Sequence, residues 1–115
     1  MKKNDLIKLL TDDNFHDSIK KSELPIVIIC EYELSLTTYI MSSLIEKLVE
    51  KHNQIINFYK VNIQENLKLQ EEFSLNDFTI LFFVDGNLMD YKAGIISEHE
   101  LQIMTKRLLM NSSGM

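Results

Sequence analysis

Three hydroxyl residues, Ser35, Thr37 and Thr38, cluster just after Glu31 and Glu33, and the chain's one cysteine, Cys30, closes the apolar run before them. Hydroxyls at a helix start sit in a positive field and could be nucleophiles, but that chemistry needs an adjacent base. No histidine or lysine lies near them in sequence, so Ser35 or Thr37 reads better as a helix cap. Glu31 and Glu33 could mimic the paired carboxylates of acid/base catalysis, although exposed charges at a strand end explain them more simply. Cys30 could act as a monothiol redox group, yet an apolar strand raises a thiol's pKa and blocks access to it. It reads as a buried structural cysteine. His16, His52 and His99 fall on three different expected helices without ligand-like spacing, so they read as solvated and no metal or other cofactor is expected.

The elements that must position these residues follow from periodicity. Ile26 to Tyr32 is β-branched and apolar on both faces, the pattern of a central strand covered by helices on each side, and Pro25 keeps the preceding helix from running into it. After the polar crossing comes a long helix with two adjacent apolar stripes, Ile40, Leu44 and Leu48 beside Met41, Ile45 and Val49. Upstream, residues 6–10 read as a strand, and Thr11, Asp12 and Asp13 as the cap and acidic first turn of a helix over 12–21, with Phe15 and Ile19 inward. Downstream, Ile55 to Ile63 reads as a second buried strand and Gln64 to Phe73 as a helix with Leu67, Leu69 and Phe73 inward. A strand–helix–strand order demands a crossover, so the two strands should be parallel. Phe78 to Val84 is a strand of strong β formers, and Asp85-Gly86 signals a hairpin into Leu88 to Lys92. Gly94 supplies a turn, and Ser97 with Glu100 forms a capping box for a last helix reaching about Met110, with Leu101, Met104 and Leu108 inward. Residues 111–115 read as a frayed tail, and Met89 as the one methionine left over for an outside contact.

The bulk properties narrow the function classes. Seventeen acidic against twelve basic residues give a net charge of -5, which opposes nucleic-acid binding by counterion release and attraction to anionic lipid. Nucleic-acid and membrane roles are not expected. The Met-Lys-Lys start resembles the first part of a signal peptide, but polar Asn4 and Asp5 follow and no long apolar run comes after, so a cytoplasmic protein is expected. A single cysteine excludes a disulfide scaffold, and 115 residues without repeat or linker fit one domain.

The order βαβαβαββα, with a central parallel pair and a terminal hairpin, resembles the thioredoxin family from about residue 5 to residue 110. The motifs support it in order and spacing. Leu10-Thr11-Asp12-Asp13-Asn14-Phe15 resembles the family's L-T-D-D-x-F junction, and Val61-Asn62-Ile63 with Asn66 resembles its V-N/D-I-D-x-N strand end. Phe82 to Asn87 occupies the place of its F-x-x-G hairpin, and Gly94 that of its last glycine. The resemblance therefore implies an α/β thioredoxin fold, a mixed central sheet flanked by helices on both faces, over residues 1–115 as a single domain.

The departures bear on chemistry. With Leu34 at the tryptophan of the family's W-C-G-P-C, Ser35, Leu36, Thr37 and Thr38 stand at its C-G-P-C, and an alcohol cannot perform thiol–disulfide exchange. Ile29 stands at the family's buried aspartate, and Thr79 at its cis-proline. A cis bond before a non-proline residue costs about 2.5 to 4 kcal/mol, so Phe78–Thr79 should be trans. The resemblance implies a degenerate, redox-inactive member with no expected disulfide reductase activity. Members without redox cysteines serve as interaction modules or chaperone-like accessory proteins, as in hydrogenase maturation. The candidate partner-binding face for a protein or peptide client comprises Tyr32, Leu34, Leu36, Tyr39, Phe78 and Thr79. The alternatives are a monothiol enzyme using Cys30, the same side chains packing on one another over the vacated site, and a homodimer that uses the 32–39 face as its interface instead of remaining a monomer.

Overall fold

The computed structural model describes residues 6–112. Nine elements follow one another: β1 Ile7–Leu10, α1 Phe15–Lys21, β2 Ile26–Glu31, α2 Leu36–His52, β3 Asn57–Asn62, α3 Leu67–Glu72, β4 Thr79–Val84, β5 Asn87–Ala93 and α4 Glu98–Ser112, with a 3-10 turn over Ile63–Glu65 before α3. The strands form one five-stranded sheet in the order β1-β3-β2-β4-β5. β1, β3 and β2 are parallel, whereas β4 and β5 run antiparallel to their neighbours. β2 lies at the centre, and its two-sided apolarity has the expected cause: successive side chains enter opposite cores. Val27 and Ile29 join Met41, Ile45, Phe58 and Leu101 on the side of α2 and α4, while Ile26, Ile28 and Cys30 join Phe15, Ile19, Leu69 and Leu75 on the side of α1 and α3.

Several boundaries differ from the sequence expectation for physical reasons. α1 starts at Phe15, not residue 12, because Asp12 serves another helix: its carboxylate accepts from the backbone N–H of Leu69 at 2.9 Å and of Lys68 at 3.3 Å. The buried Asn66 completes this latch by accepting from the Asp12 N–H and donating to the Asn62 carbonyl, each at 2.9 Å. α3 is correspondingly short, and Leu67 at its first position is 66% exposed instead of inward. Phe73 follows α3 half-buried, tilted against Phe15 at 5.4 Å between ring centres. α4 continues through Asn111 and Ser112, two residues expected in a frayed tail, while residues 113–115 of that expectation lie outside the described residues.

The hairpin forms as its turn chemistry requires. Asp85 and Gly86 have φ of 52° and 80°, the doubly left-handed turn that matches strand twist. Beyond it, Phe82 pairs with Asp90 and Phe83 with Leu88, which leaves Met89 as a bulge packed half-buried against the core. Met89 is thus a core-facing residue and not the outer contact expected. Asp90 accepts from Arg107 at 3.1 Å and Lys92 lies 3.4 Å from Glu100, tying β5 to α4. Only half of the capping box forms: the Glu100 N–H donates to Ser97 Oγ at 3.1 Å, and the Glu100 carboxylate is taken by Lys92. Among the described residues no helix is long and apolar enough to cross a membrane.

Candidate functional site

Because β1, β2 and β3 are parallel, their C-terminal ends lie at one end of the sheet. The crossing from β2 into α2 emerges there. Ser35 is the N-cap of α2, with extended backbone and a hydroxyl that accepts from the Thr38 N–H at 3.0 Å. The same hydroxyl donates to Thr38 Oγ1 at 3.2 Å, and Thr38 Oγ1 donates to the Tyr32 carbonyl at 2.9 Å. Both hydroxyls are therefore consumed in closing the loop. Neither is bonded to a base that could activate it, and half-buried Thr37 forms no side-chain hydrogen bond among the described residues. The crossing is tethered sideways as well, by the Glu33 N–H donating to Gln64 at 3.3 Å.

The carboxylates do not form a catalytic pair. Glu31 lies 3.8 Å from Lys60 on the neighbouring strand, whereas Glu33 is exposed. Burial raises the Glu31 pKa, and Lys60 opposes that shift. Cys30 is fully buried; desolvation, with a smaller contribution from Glu31, pushes its thiol up to about 12. At neutral pH it is a protonated apolar side chain without access to a disulfide. Of the histidines, His16 is exposed and bonds Glu72 at 3.0 Å, and His99 is exposed. His52 departs from the solvated reading. It is half-buried between α2 and α4, and burial followed by the neighbouring Lys51 lowers its pKa.

The structure divides the six candidate partner-binding residues. Leu34, Leu36 and Tyr39 are 97%, 72% and 78% exposed. Tyr32 is half-buried against the α1–α3 core, with its hydroxyl accepting from Gln70 at 3.1 Å. Phe78 is not on the face at all: at 1% exposure it belongs to the α2–α4 core with Ile80 and Phe82. Its backbone is also occupied, since the N–H donates to Asp77 Oδ1 at 2.7 Å and the carbonyl accepts from the Gly94 N–H at 2.6 Å. Thr79 is buried, pairs with Cys30 and Ala93, and donates its hydroxyl to the Asp77 carbonyl at 2.9 Å. The Phe78–Thr79 peptide is trans, as are all peptide bonds among the described residues.

Ile40 extends the exposed face. It was expected on the inward stripe with Leu44 and Leu48, but it is half-exposed and lies one helical turn from Leu36. The signal for it is the spacing of Leu36, Tyr39 and Ile40 at i, i+3 and i+4, which defines one side of a helix.

Comparison with known proteins decides the family. The thioredoxin family model matches residues 6–107. The chain belongs to the thioredoxin family. Among curated thioredoxins, that of Rickettsia bellii is 24% identical over 93 residues, covering 80% of this chain and 89% of its own. The mitochondrial thioredoxin of Mus musculus is 27% identical over 97 residues, or 84% of this chain and 58% of that protein. The fold is shared with mitochondrial thioredoxin 3 of Saccharomyces cerevisiae in its oxidized form, with a TM-score of 0.81 at 20% identity over 92% of this chain and 99% of the other. Against the family's C-G-P-C this thioredoxin-family chain has Ser35-Leu36-Thr37-Thr38, and its one cysteine lies elsewhere, within β2.

Proposed function

We propose that this chain is a redox-inactive thioredoxin-family module that binds a polypeptide through the exposed apolar cluster at the start of α2. The observation that carries this reading is the combination at one place of spent hydroxyls and unspent apolar side chains. Ser35 and Thr38 are committed to closing the helix start, while Leu34, Leu36, Tyr39 and Ile40 project around them into solvent. Contiguous apolar groups of this kind are costly in water and mark interaction sites. Redox chemistry would have to run through Cys30, which is buried and keeps its proton to about pH 12. The partner contact does not include Phe78, whose side chain and backbone are both used internally.

The first test is insulin reduction beside a dithiol thioredoxin control. Turnover at the uncatalysed rate is expected, and turnover lost in Cys30→Ser would replace this reading with a monothiol enzyme. The second is capture of binding proteins with the wild-type chain and with Leu36→Asp as the paired bait. A partner retained equally by both would mean that a different surface binds. Sedimentation completes the set: a dimer abolished by Leu36→Asp would make the cluster a subunit interface instead.

A further inference from the structure

A second surface lies away from the start of α2. Between the C-terminal half of α2 and the length of α4 runs a groove of about 530 Å³. Its floor is apolar: Leu48 and Leu101 are buried, with Leu44 and Leu109 half-buried beside them. Its rim is cationic, with exposed Lys47 and Lys51 one turn apart on α2 and exposed Lys106 on α4; Glu98 is the one carboxylate among its lining residues. On a chain of net charge -5 such a cluster runs against composition. Lys60 and Lys92 are neutralised by Glu31 and Glu100, whereas Lys47, Lys51 and Lys106, three cations on one groove, have no ion pair among the described residues.

We propose that this groove docks an acidic amphipathic helix of a polypeptide partner, its apolar stripe on the leucine floor and its carboxylates against Lys47, Lys51 and Lys106. The geometry favours a helix for two reasons. Lysines at i and i+4 are about 5–6 Å apart, the spacing at which a facing helix repeats its own acidic side chains. An apolar floor flanked by residues of two helices accepts the stripe of a third helix in the helix-in-groove mode. A fatty acid has one carboxylate and needs one cation at the mouth of an enclosed pocket. Here the cations are spread along both walls of an open groove. The surface is separate from the Leu34–Ile40 cluster, so it does not depend on that site.

The test is fluorescence anisotropy on the full chain, using a labelled synthetic helix with leucines at i, i+3, i+4 and i+7 and glutamates between them. A scrambled peptide of equal composition is the control. Saturable binding is expected, weakened about tenfold or more in the double variant Lys47→Glu/Lys51→Glu and in Lys106→Glu, weakened by added salt, and unchanged in Leu36→Asp. Circular dichroism checks that the exposed-site variants remain folded. Equal binding of the scrambled peptide, indifference to charge reversal, or no saturation would overturn the proposal. Displacement of the peptide by a tighter-binding long-chain fatty acid would overturn its assignment to a polypeptide.

Discussion

Helices α2 and α3 start at the same end of the sheet, and they are capped in opposite ways. α2 is capped from within its own crossing, by Ser35 three residues before Thr38. α3 is capped from across the chain, by Asp12 reaching Leu69 and by Asn66 holding Asp12 in return. A local cap needs no tertiary partner, and beside Ser35 the side chains of Leu34, Leu36 and Tyr39 are exposed, with Glu33 and Tyr32 making the crossing's contacts to Gln64 and Gln70. A remote cap welds two loops together, and around Asp12 and Asn66 the chain is closed over Leu10, Phe15 and Leu69. One helix start therefore keeps apolar side chains in solvent, and the other holds the fold together.

The strongest way to break this contrast concerns Cys30, at the end of β2 on the closed side. Its folded pKa, about 12, lies above the ordinary 9.0, so between those values the folded state holds a proton that the unfolded state has lost. The contribution of Cys30 to stability should be complete below pH 9 and fall above it, at up to about 1.4 kcal/mol per pH unit. Urea midpoints of wild type and Cys30→Ala measured across that range should converge or cross as pH rises. A constant difference would mean that the closed side admits hydroxide and water.

Next in size is Asp12→Ala, which strips two backbone donors of a charged acceptor and should cost about 2 kcal/mol in urea unfolding. Ser35→Ala removes one local cap and should cost about 1 kcal/mol. If the two losses were equal, the remote latch would be no more than an ordinary cap. The smallest effect is expected from Leu34→Asp or Leu36→Asp, within about 0.5 kcal/mol of wild type, because neither side chain is packed. A loss near 2 kcal/mol in either would show that the apolar cluster collapses on itself and is not a binding face.

The same contrast explains what could be read from sequence. The Ser35 cap is legible because donor and acceptor are three residues apart, and sequence spacing encodes contacts of that range. The Asp12 cap is not, because its partner lies 57 residues away and Asp12 also sits just before a helix it could have capped. The order of strands and helices was legible from periodicity, and the central place of β2 from its two-sided apolarity. Phe78 was misplaced although a signal existed. It alternates with Ile80 and Phe82, and period two puts all three in one core, which is where they lie. Leu67 was misplaced because a helix of six residues has too few turns for an inward stripe to be defined. The lysine-rimmed groove carries no local signal, since α2 and α4 are joined only by the fold.

The bulge at Met89 has a consequence for how this chain meets others. β5 is the longer of the two outer strands, seven residues against four in β1, and an outer strand offers unpaired backbone to any extended chain. On β5 the bulge breaks the regular row of donors and acceptors, and Asp90 and Lys92 are held in ion pairs with α4. Strand addition at this edge is thereby discouraged, so the bulge and the two ion pairs work against sheet-to-sheet aggregation.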